Sequence, residues 1–316
     1  CAIGWLICKV VFYSFSVNYR IFTFKGNLLV VPMDGSHWIG VKAIAQEMGR
    51  RGHRVTVVMP EISMQMGPGK HYNTVTFPVP YDQAYVDSVM AKNTEALEKS
   101  AESFMQQVQS KMSQFQAIMD AIHITAETLL FNDSIITHLA QQNFDAVLTD
   151  PMVPTGSLIA RKLGEFIHIF MICVGIPCSL DLKAAGCPSP PSYVPRFASG
   201  LTDRMTFMER VFNSLVSIAL FEPLLCRLIY RHFDHLAHQF LGEKVSIAEV
   251  LSDSDIWLMR IDFTLEFPRP LMPNMVQVGG INCKVKNRLP DVRPVYFRFQ
   301  LLLKNTKATP IVKQED

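Results

Sequence analysis

The sequence predicts an α/β fold: a Rossmann-like parallel sheet with helices on both faces. Three observations predict it. Short apolar runs rich in β-branched residues recur at 27–33, 54–60, 144–149 and 166–174. Segments with helical apolar spacing separate them. The first run is apolar throughout rather than alternating, as strands covered on both faces are.

Taken in order, Asn27 to Met33 (NLLVVPM) reads as the first strand. Asp34-Gly35-Ser36-His37 follows as a turn-like cluster. Trp38 to Arg51 carries apolar residues at 38, 39, 41, 44, 45 and 48, which is helical spacing, and Gly49 and Gly52 mark its end. Arg54 to Pro60 (RVTVVMP) is the second strand, so strand, helix and strand form a βαβ unit with a parallel sheet. Ser63 to Tyr81 reads as a surface loop. Its Gly67-Pro68-Gly69-Lys70 lacks the spacing of a phosphate-binding loop. Residues 82 to 142 read as helical. Met105, Val108, Met112, Phe115, Met119 and Ile122 form a stripe along one face. The plain reading is a helix packed on the core, and the alternative is a Met-rich wall adaptable to varied ligands.

Phe144 to Thr149 (FDAVLT) is the next strand, ending at Asp150-Pro151. Thr155 to Leu163 is a helix closed by Gly164, and Phe166 to Val174 a further strand. Pro177 to Pro195 reads as irregular. Thr202 or Asp203 is the expected cap of a helix that continues, with breaks, to Leu241. Val245 to Leu251 is a shorter helix, and Ile256 to Ile261 and Met275 to Val278 are late strands. Beyond Cys283 the character changes. Residues 284–316 are basic, then apolar, then polar, without periodicity. The expected organisation is an atypical hydrophobic N-terminus over 1–24 (a signal remnant), one Rossmann-like domain over 25–283, and a tail over 284–316.

Composition narrows the class. Of 316 residues, 49 % are hydrophobic and 18 % charged, enough apolar side chains for a sizeable core and too few charges for a disordered chain. The net charge is +2, so nothing calls for a nucleic-acid partner. Arg50, Arg51, His53 and Arg54 read as the solvated ends of apolar segments. The seven cysteines contain no CxxC pair and fit no zinc pattern. His232, His235 and His238 step by three, which puts the first and third roughly 240° apart on a helix, so they cannot share a metal. No HExxH, GxSxG or GxGxxG is present, which argues against a zinc protease, a serine hydrolase and a nicotinamide or flavin enzyme. No cofactor is expected. No stretch gives 18 apolar residues without charge. Val211 to Tyr230 comes nearest and carries Glu222, Pro223 and Arg227.

Two polar residues stand out by position. His37 follows the first strand at a helix start, and Asp150 ends a later strand. In open parallel sheets, ligands bind at the carboxyl ends of strands. A His–Asp pair there can take a proton from a substrate hydroxyl, with the carboxylate fixing the tautomer and steadying the imidazolium. A His at a helix start is also a common surface residue, and an Asp before Pro a common strand end. Asn132-Asp133-Ser134 is a glycosylation acceptor triplet, relevant if the chain enters the secretory route.

Four long stretches carry a resemblance: NLLVVPMDGSHWIGVKAIAQEMGRRGHRVTVVMPE (27–61), FDAVLTDPMVPTGSLIA (144–160), PSYVPRFASGLTDRMTFMERVFN (191–213) and SDSDIWLMRIDFTLEFPRPLMPNMVQVGGINC (252–283). Together they resemble the UDP-glucuronosyltransferases, closest in flavour to the phenol- and bilirubin-conjugating branch. The resemblance implies the N-terminal domain of a two-domain GT-B glycosyltransferase, binding a lipophilic acceptor such as a phenol, steroid or bilirubin-like molecule. UDP-glucuronic acid would be held by a second domain that is not found in this sequence. It implies that His37, in DGSHW, deprotonates the acceptor and that Asp150, in LTDP, is its partner. It also implies residence on the luminal side of the endoplasmic reticulum membrane, contact with that membrane's surface, and association with family members. The tail over 284–316 resembles nothing in the family. The expectation is therefore a chain with little turnover alone. The alternative is a non-catalytic lipophile-binding or regulatory partner of full-length relatives, and UDP-glucose as donor also stays open.

Overall fold

The computed structural model describes residues 25–98, 104–164, 167–172, 183–196, 199–217 and 222–281. All the described residues fall in the first of the chain's two units, Cys1–Asn282. The expected N-terminal segment over 1–24 and the tail over 284–316 lie outside the described residues, as do parts of the irregular stretch over 177–195 and of the apolar stretch over 211–230.

The first unit is built on seven parallel strands. These are β1 (Asn27–Val31), β2 (Arg54–Pro60), β3 (Asn73–Phe77), β4 (Ala146–Thr149), β5 (Ile167–Ile172), β6 (Ile256–Met259) and β7 (Met275–Gln277), in the order β3-β2-β1-β4-β5-β6-β7. β1 is central, pairing Leu28 with Val55 on one side and with Ala146 on the other. The order reverses between β1 and β4, so the crevice at their carboxyl ends is the natural ligand position of such a sheet.

The helices are α1 (Ser36–Arg50), α2 (Gln83–Glu98), α3 (Phe104–Leu130), α4 (Asp133–Ala140), α5 (Thr155–Leu163), α6 (Phe207–Leu215), α7 (Glu222–Leu241) and α8 (Ile247–Ser252). Alternation along the strands explains the layering. Leu28 and Val30 join a core beneath α1 with Trp38, Val41, Ile44, Ala45 and Met48. Leu29 and Val31 face the opposite way and join the larger core with Leu129, Leu158, Phe233 and Val250 from α3, α5, α7 and α8. Strands covered on both faces are apolar at most positions, and β1, β2 and β4 read that way apart from Asn27, Arg54, Thr56 and Thr149. Within the α3 stripe, Met119 is buried and Phe115 and Ile122 pack against the larger core.

Three sequence expectations are corrected. The loop expected over 63–81 contains β3. Its sequence NTVTF is β-branched, but as the edge strand it is exposed at Asn73, Thr74 and Thr76, with Val75 half-buried and Phe77 buried against the larger core. The helix expected to start at Thr202 or Asp203 starts after Thr206, whose side chain accepts from Glu209 N–H while Glu209 accepts from Thr206 N–H. That capping box was present in the sequence as T-x-x-E. Thr202 instead closes a tight turn, bonding the backbone of Arg204. The first helix starts two residues before Trp38, and the strand before it stops at Val31, since Pro32 has no N–H for the ladder. No helix among the described residues is long and apolar enough to cross a membrane.

Candidate active site

The site begins where β1 ends. Pro32, Met33 and Asp34 run over the edge of the sheet, and Gly35 turns the chain into α1 at φ 77°, a left-handed conformation that favours glycine. His37 therefore falls in the first turn of α1. The Asp34 carboxylate accepts three backbone N–H bonds, from Gly35 at 2.6 Å, Met64 at 2.7 Å and Gln65 at 3.2 Å. It ties the β1–α1 turn to the loop that follows β2. The sequence marks Asp34 as part of a turn, as Asp before Gly is, but not its tie to the loop at Met64 and Gln65.

Asp150 arrives from β4. Thr149 pairs with Val31, and its Oγ1 donates to Val31 O at 2.8 Å, locking the carboxyl ends of the two central strands together. One residue later, Asp150 Oδ2 lies 2.6 Å from His37 Nδ1. The other carboxylate oxygen, Oδ1, accepts Met152 N–H at 2.9 Å. Asp150 is 1 % exposed and His37 21 %, so the acid is sealed beneath a base that reaches the surface. A carboxyl group this deep is costly to bury without such hydrogen-bond partners. With Nδ1–H donated to the carboxylate, the imidazole lone pair belongs to Nε2, the arrangement of a general base. Below the pair, Tyr230 OH donates to Pro151 O at 3.3 Å. Burial, and secondarily the Asp150 charge, push the Tyr230 hydroxyl well above its ordinary range, so it remains a neutral donor.

A cleft opens among residues that neighbour the pair in sequence, Val31 to Asp34 before His37 and Val153 after Asp150, with neither His37 nor Asp150 in its lining. It is bounded by Val31 to Asp34, by the loop over 60–66, by Tyr81, Tyr85, Val86 and Val89 at the start of α2, by Ala121 to Leu129 of α3, and by Val153 and Thr155. Its space, counting the mouth open to solvent, is about 770 Å³. The walls are predominantly apolar, with Val and Met the most frequent. Ile122 of the α3 stripe lines it while Met119 stays in the core, so one stripe serves both purposes. Within it Tyr81 OH lies 2.8 Å from Thr125 Oγ1, which itself donates to Ala121 O, so Tyr81 is the donor of the pair. Tyr81 and Tyr85 lie ring against ring at 5.3 Å.

The remaining sequence candidates sit elsewhere. Asn132 is the N-cap of α4, its side-chain oxygen accepting Ile135 N–H at 3.1 Å. His232 stacks on His123 at 4.3 Å, and His238 bonds Glu243 O, so the three spaced histidines do not converge. Among the described residues no group of three or more His, Cys, Asp or Glu side chains is placed to hold a metal ion.

Residues 26–297 match the sequence family described as UDP-glucoronosyl and UDP-glucosyl transferase, a match that runs past Cys283. The chain is 39 % identical over 271 residues to UDP-glucuronosyltransferase 1A1 of Rattus norvegicus, covering 86 % of this chain and 50 % of that protein. It is 36 % identical over 272 residues to UDP-glucuronosyltransferase 1A1 of Homo sapiens, covering 86 % and 50 %. The solved structure of spinosyn forosaminyltransferase SpnP aligns at 16 % identity with a TM-score of 0.40, covering 87 % of this chain and 55 % of that one. The chain spans about half the length of the curated relatives it matches.

Proposed function

This chain belongs to the UDP-glucuronosyl and UDP-glucosyl transferase family, and from that premise we propose that it is the acceptor-binding, base-supplying half of a UDP-glucuronosyltransferase. The acceptor is a small lipophilic molecule bearing a hydroxyl, seated in the apolar cleft. His37 Nε2 takes the hydroxyl proton as the oxygen attacks the anomeric carbon of UDP-glucuronic acid. The bond from that carbon to the UDP oxygen breaks with inversion, and UDP leaves. Asp150 holds the imidazole in the right tautomer and stabilises the imidazolium that forms. The observation that carries this reading is the 2.6 Å contact between His37 and Asp150 at the carboxyl edge of the central strands.

Donor binding falls to the half of the relatives that these residues do not match. Two-substrate transfer depends on positioning both partners, so turnover is expected only when a donor-binding half is supplied. The test is a glucuronidation assay with a panel of phenols, on the chain alone and on the chain joined after Cys283 to a family donor domain, with His37→Ala as control. Transfer by the joined protein, lost in the variant, supports the reading. A folded joined protein without transfer refutes it. The lining of the cleft is predominantly apolar, which favours lipophile binding without catalysis as the second reading.

Placement at the luminal face of the endoplasmic reticulum membrane is part of the same proposal. Two features support it. Phe207, Met208, Val211, Phe212 and Leu215 of α6 are exposed along one side of that helix, as in helices that lie in a membrane interface. The acceptor triplet at Asn132 is the other, since a glycan there requires the secretory route.

A further inference from the structure

One side chain joins the cleft to the base. Neither His37 nor Asp150 lines the cleft, whereas Asp34 does. Asp34 stands three residues before His37, on the run that leaves β1 and enters α1. Its Oδ1 accepts Gly35 N–H at 2.6 Å and Gln65 N–H at 3.2 Å, and its Oδ2 accepts Met64 N–H at 2.7 Å. A single carboxylate therefore grips both the turn that carries His37 and the loop that walls the cleft.

Both ends of the grip bear on the site. On the turn side, Gly35 is the N-cap of α1 and the helix starts without a side-chain cap. The opening N–H groups of a helix ordinarily rely on such caps. The first turn is steadied instead by side-chain bonds to the rest of the fold, His37 to Asp150 and Asp34 to Gly35. On the loop side, Ile62, Ser63, Met64 and Met66 line the cleft. The Met64 thioether lies 3.9 Å from where a Cβ on Gly35 would stand, so the wall packs against the turn as well as being bonded to it. A ligand that presses on Met64 presses on a turn two residues from His37.

We infer that Asp34 is a positioning residue, fastening the wall of the cleft to the turn that presents His37, so that a seated ligand and the base keep one separation. This rests on the cleft being the acceptor site and on His37 being the base. A misplacement of about 1 Å at the reacting groups can cost roughly 100-fold in rate. A hold of this kind therefore matters without any contact to the reacting atoms.

In the full chain with isotope-labelled histidine, NMR gives the solvent-exchange lifetime of His37 Nδ1–H, whose hydrogen bond goes to Asp150 and not to Asp34. Asp34→Ala should shorten that lifetime about fivefold, the worth of one net hydrogen bond, while the amides of Leu29 and Val30 in β1 keep theirs. Asp34→Asn keeps the side-chain shape but offers one accepting oxygen to three N–H groups, and should shorten it less. In the chain joined to a donor half, Asp34→Ala should lower kcat about 10–100-fold with KM for 1-naphthol nearly unchanged. An unchanged His37 lifetime in both variants overturns the positioning role. So does equal shortening at Leu29 and Val30, which marks a residue that steadies the fold at large. A raised KM with kcat intact overturns it too, and makes Asp34 a wall of the cleft only. Should Asp34→Ala fail to fold, Asp34→Asn decides by the same readings. All of these outcomes leave the proposed function standing. Transfer absent from the joined parent chain, or undiminished in His37→Ala, overturns that function and the positioning role with it.

Discussion

Gly156 leaves no room for a side chain against Thr149: a Cβ added at Gly156 would overlap Thr149 Oγ1 and crowd Val31 Cβ. Thr149 Oγ1 is the atom that bonds Val31 O and joins the two central strands beside the site. α5 therefore packs on the sheet at a distance set by the missing methyl group. Gly156→Ala should cost about 1–3 kcal/mol, the usual penalty for overpacking a rigid core. Denaturant unfolding would measure it, and a variant as stable as the parent would show that the helix shifts freely. Because the displaced residue precedes Asp150, activity of the protein joined to a donor half should fall along with stability.

His37→Ala should lower kcat of that joined protein by about 10²–10⁴-fold, the range general bases contribute, with little change in KM for the phenol. Asp150→Asn should produce a comparable loss, because the amide can present its N–H to Nδ1 and so favour the wrong tautomer. Steady-state kinetics on both variants decide the matter. An active His37→Ala enzyme would remove the base from the mechanism.

Much of this site was legible before any coordinates. His37 and Asp150 sit just after apolar runs, and parallel strands deliver such positions to one edge. The partnership needed the fold, since 113 residues separate them. What stayed hidden was of two kinds. β3 escaped notice because edge strands are half polar, so the apolar-run signal that marks β1 and β2 is missing. The cleft escaped because its walls come from five separated segments, and no local pattern says that Ile122 and Met64 face a common space. Thr206 is different, for its T-x-x-E signature could have been read and fixes the start of α6.

That helix gives the third prediction. Asn213, fully buried, accepts Arg196 N–H and donates to Pro191 O and Val194 O, so one side of α6 is fastened to the loop over 191–196. Phe207 and Phe212 are left 71 % and 52 % exposed. If this face lies in a membrane interface, the double variant Phe207→Ser, Phe212→Ser should sediment with phosphatidylcholine vesicles markedly less than the parent. Its unfolding midpoint should be unchanged, since neither ring is buried. Equal sedimentation would exclude α6 as the contact.

Asn132 makes a glycan testable with an internal control. Its Oδ1 caps α4, so Asn132→Gln removes the acceptor amide and also disturbs the cap, at a cost of about 1 kcal/mol. Ser134→Ala destroys the triplet without touching the cap. After expression through a secretory pathway, both variants should lose the mass shift of a single glycan, and only Asn132→Gln should lose stability as well. A parent chain without the shift would leave Asn132 as a helix cap alone.

The acid response can be predicted from the end of α1. Glu47 is held by Arg50 at 2.7 Å and by Arg51 at 2.7 Å. The Arg50 hydrogen bond first, then Arg51, lower its carboxyl from 4.5 to about 2 against the opposing effect of partial burial. A carboxyl whose folded-state value is depressed binds protons more readily when the chain unfolds. Its stabilisation is therefore complete above about pH 4.5 and is lost as the pH falls toward about 2. Arg50 is largely exposed and Glu47 and Arg51 partly so, and solvent screens the attraction, so the effect should stay below about 1 kcal/mol. Glu47→Gln should accordingly be slightly less stable than the parent at pH 7. The gap should shrink in high salt and close on acidification through that window. A gap that persists unchanged at pH 2.5 would place the effect of Glu47 in packing rather than in charge.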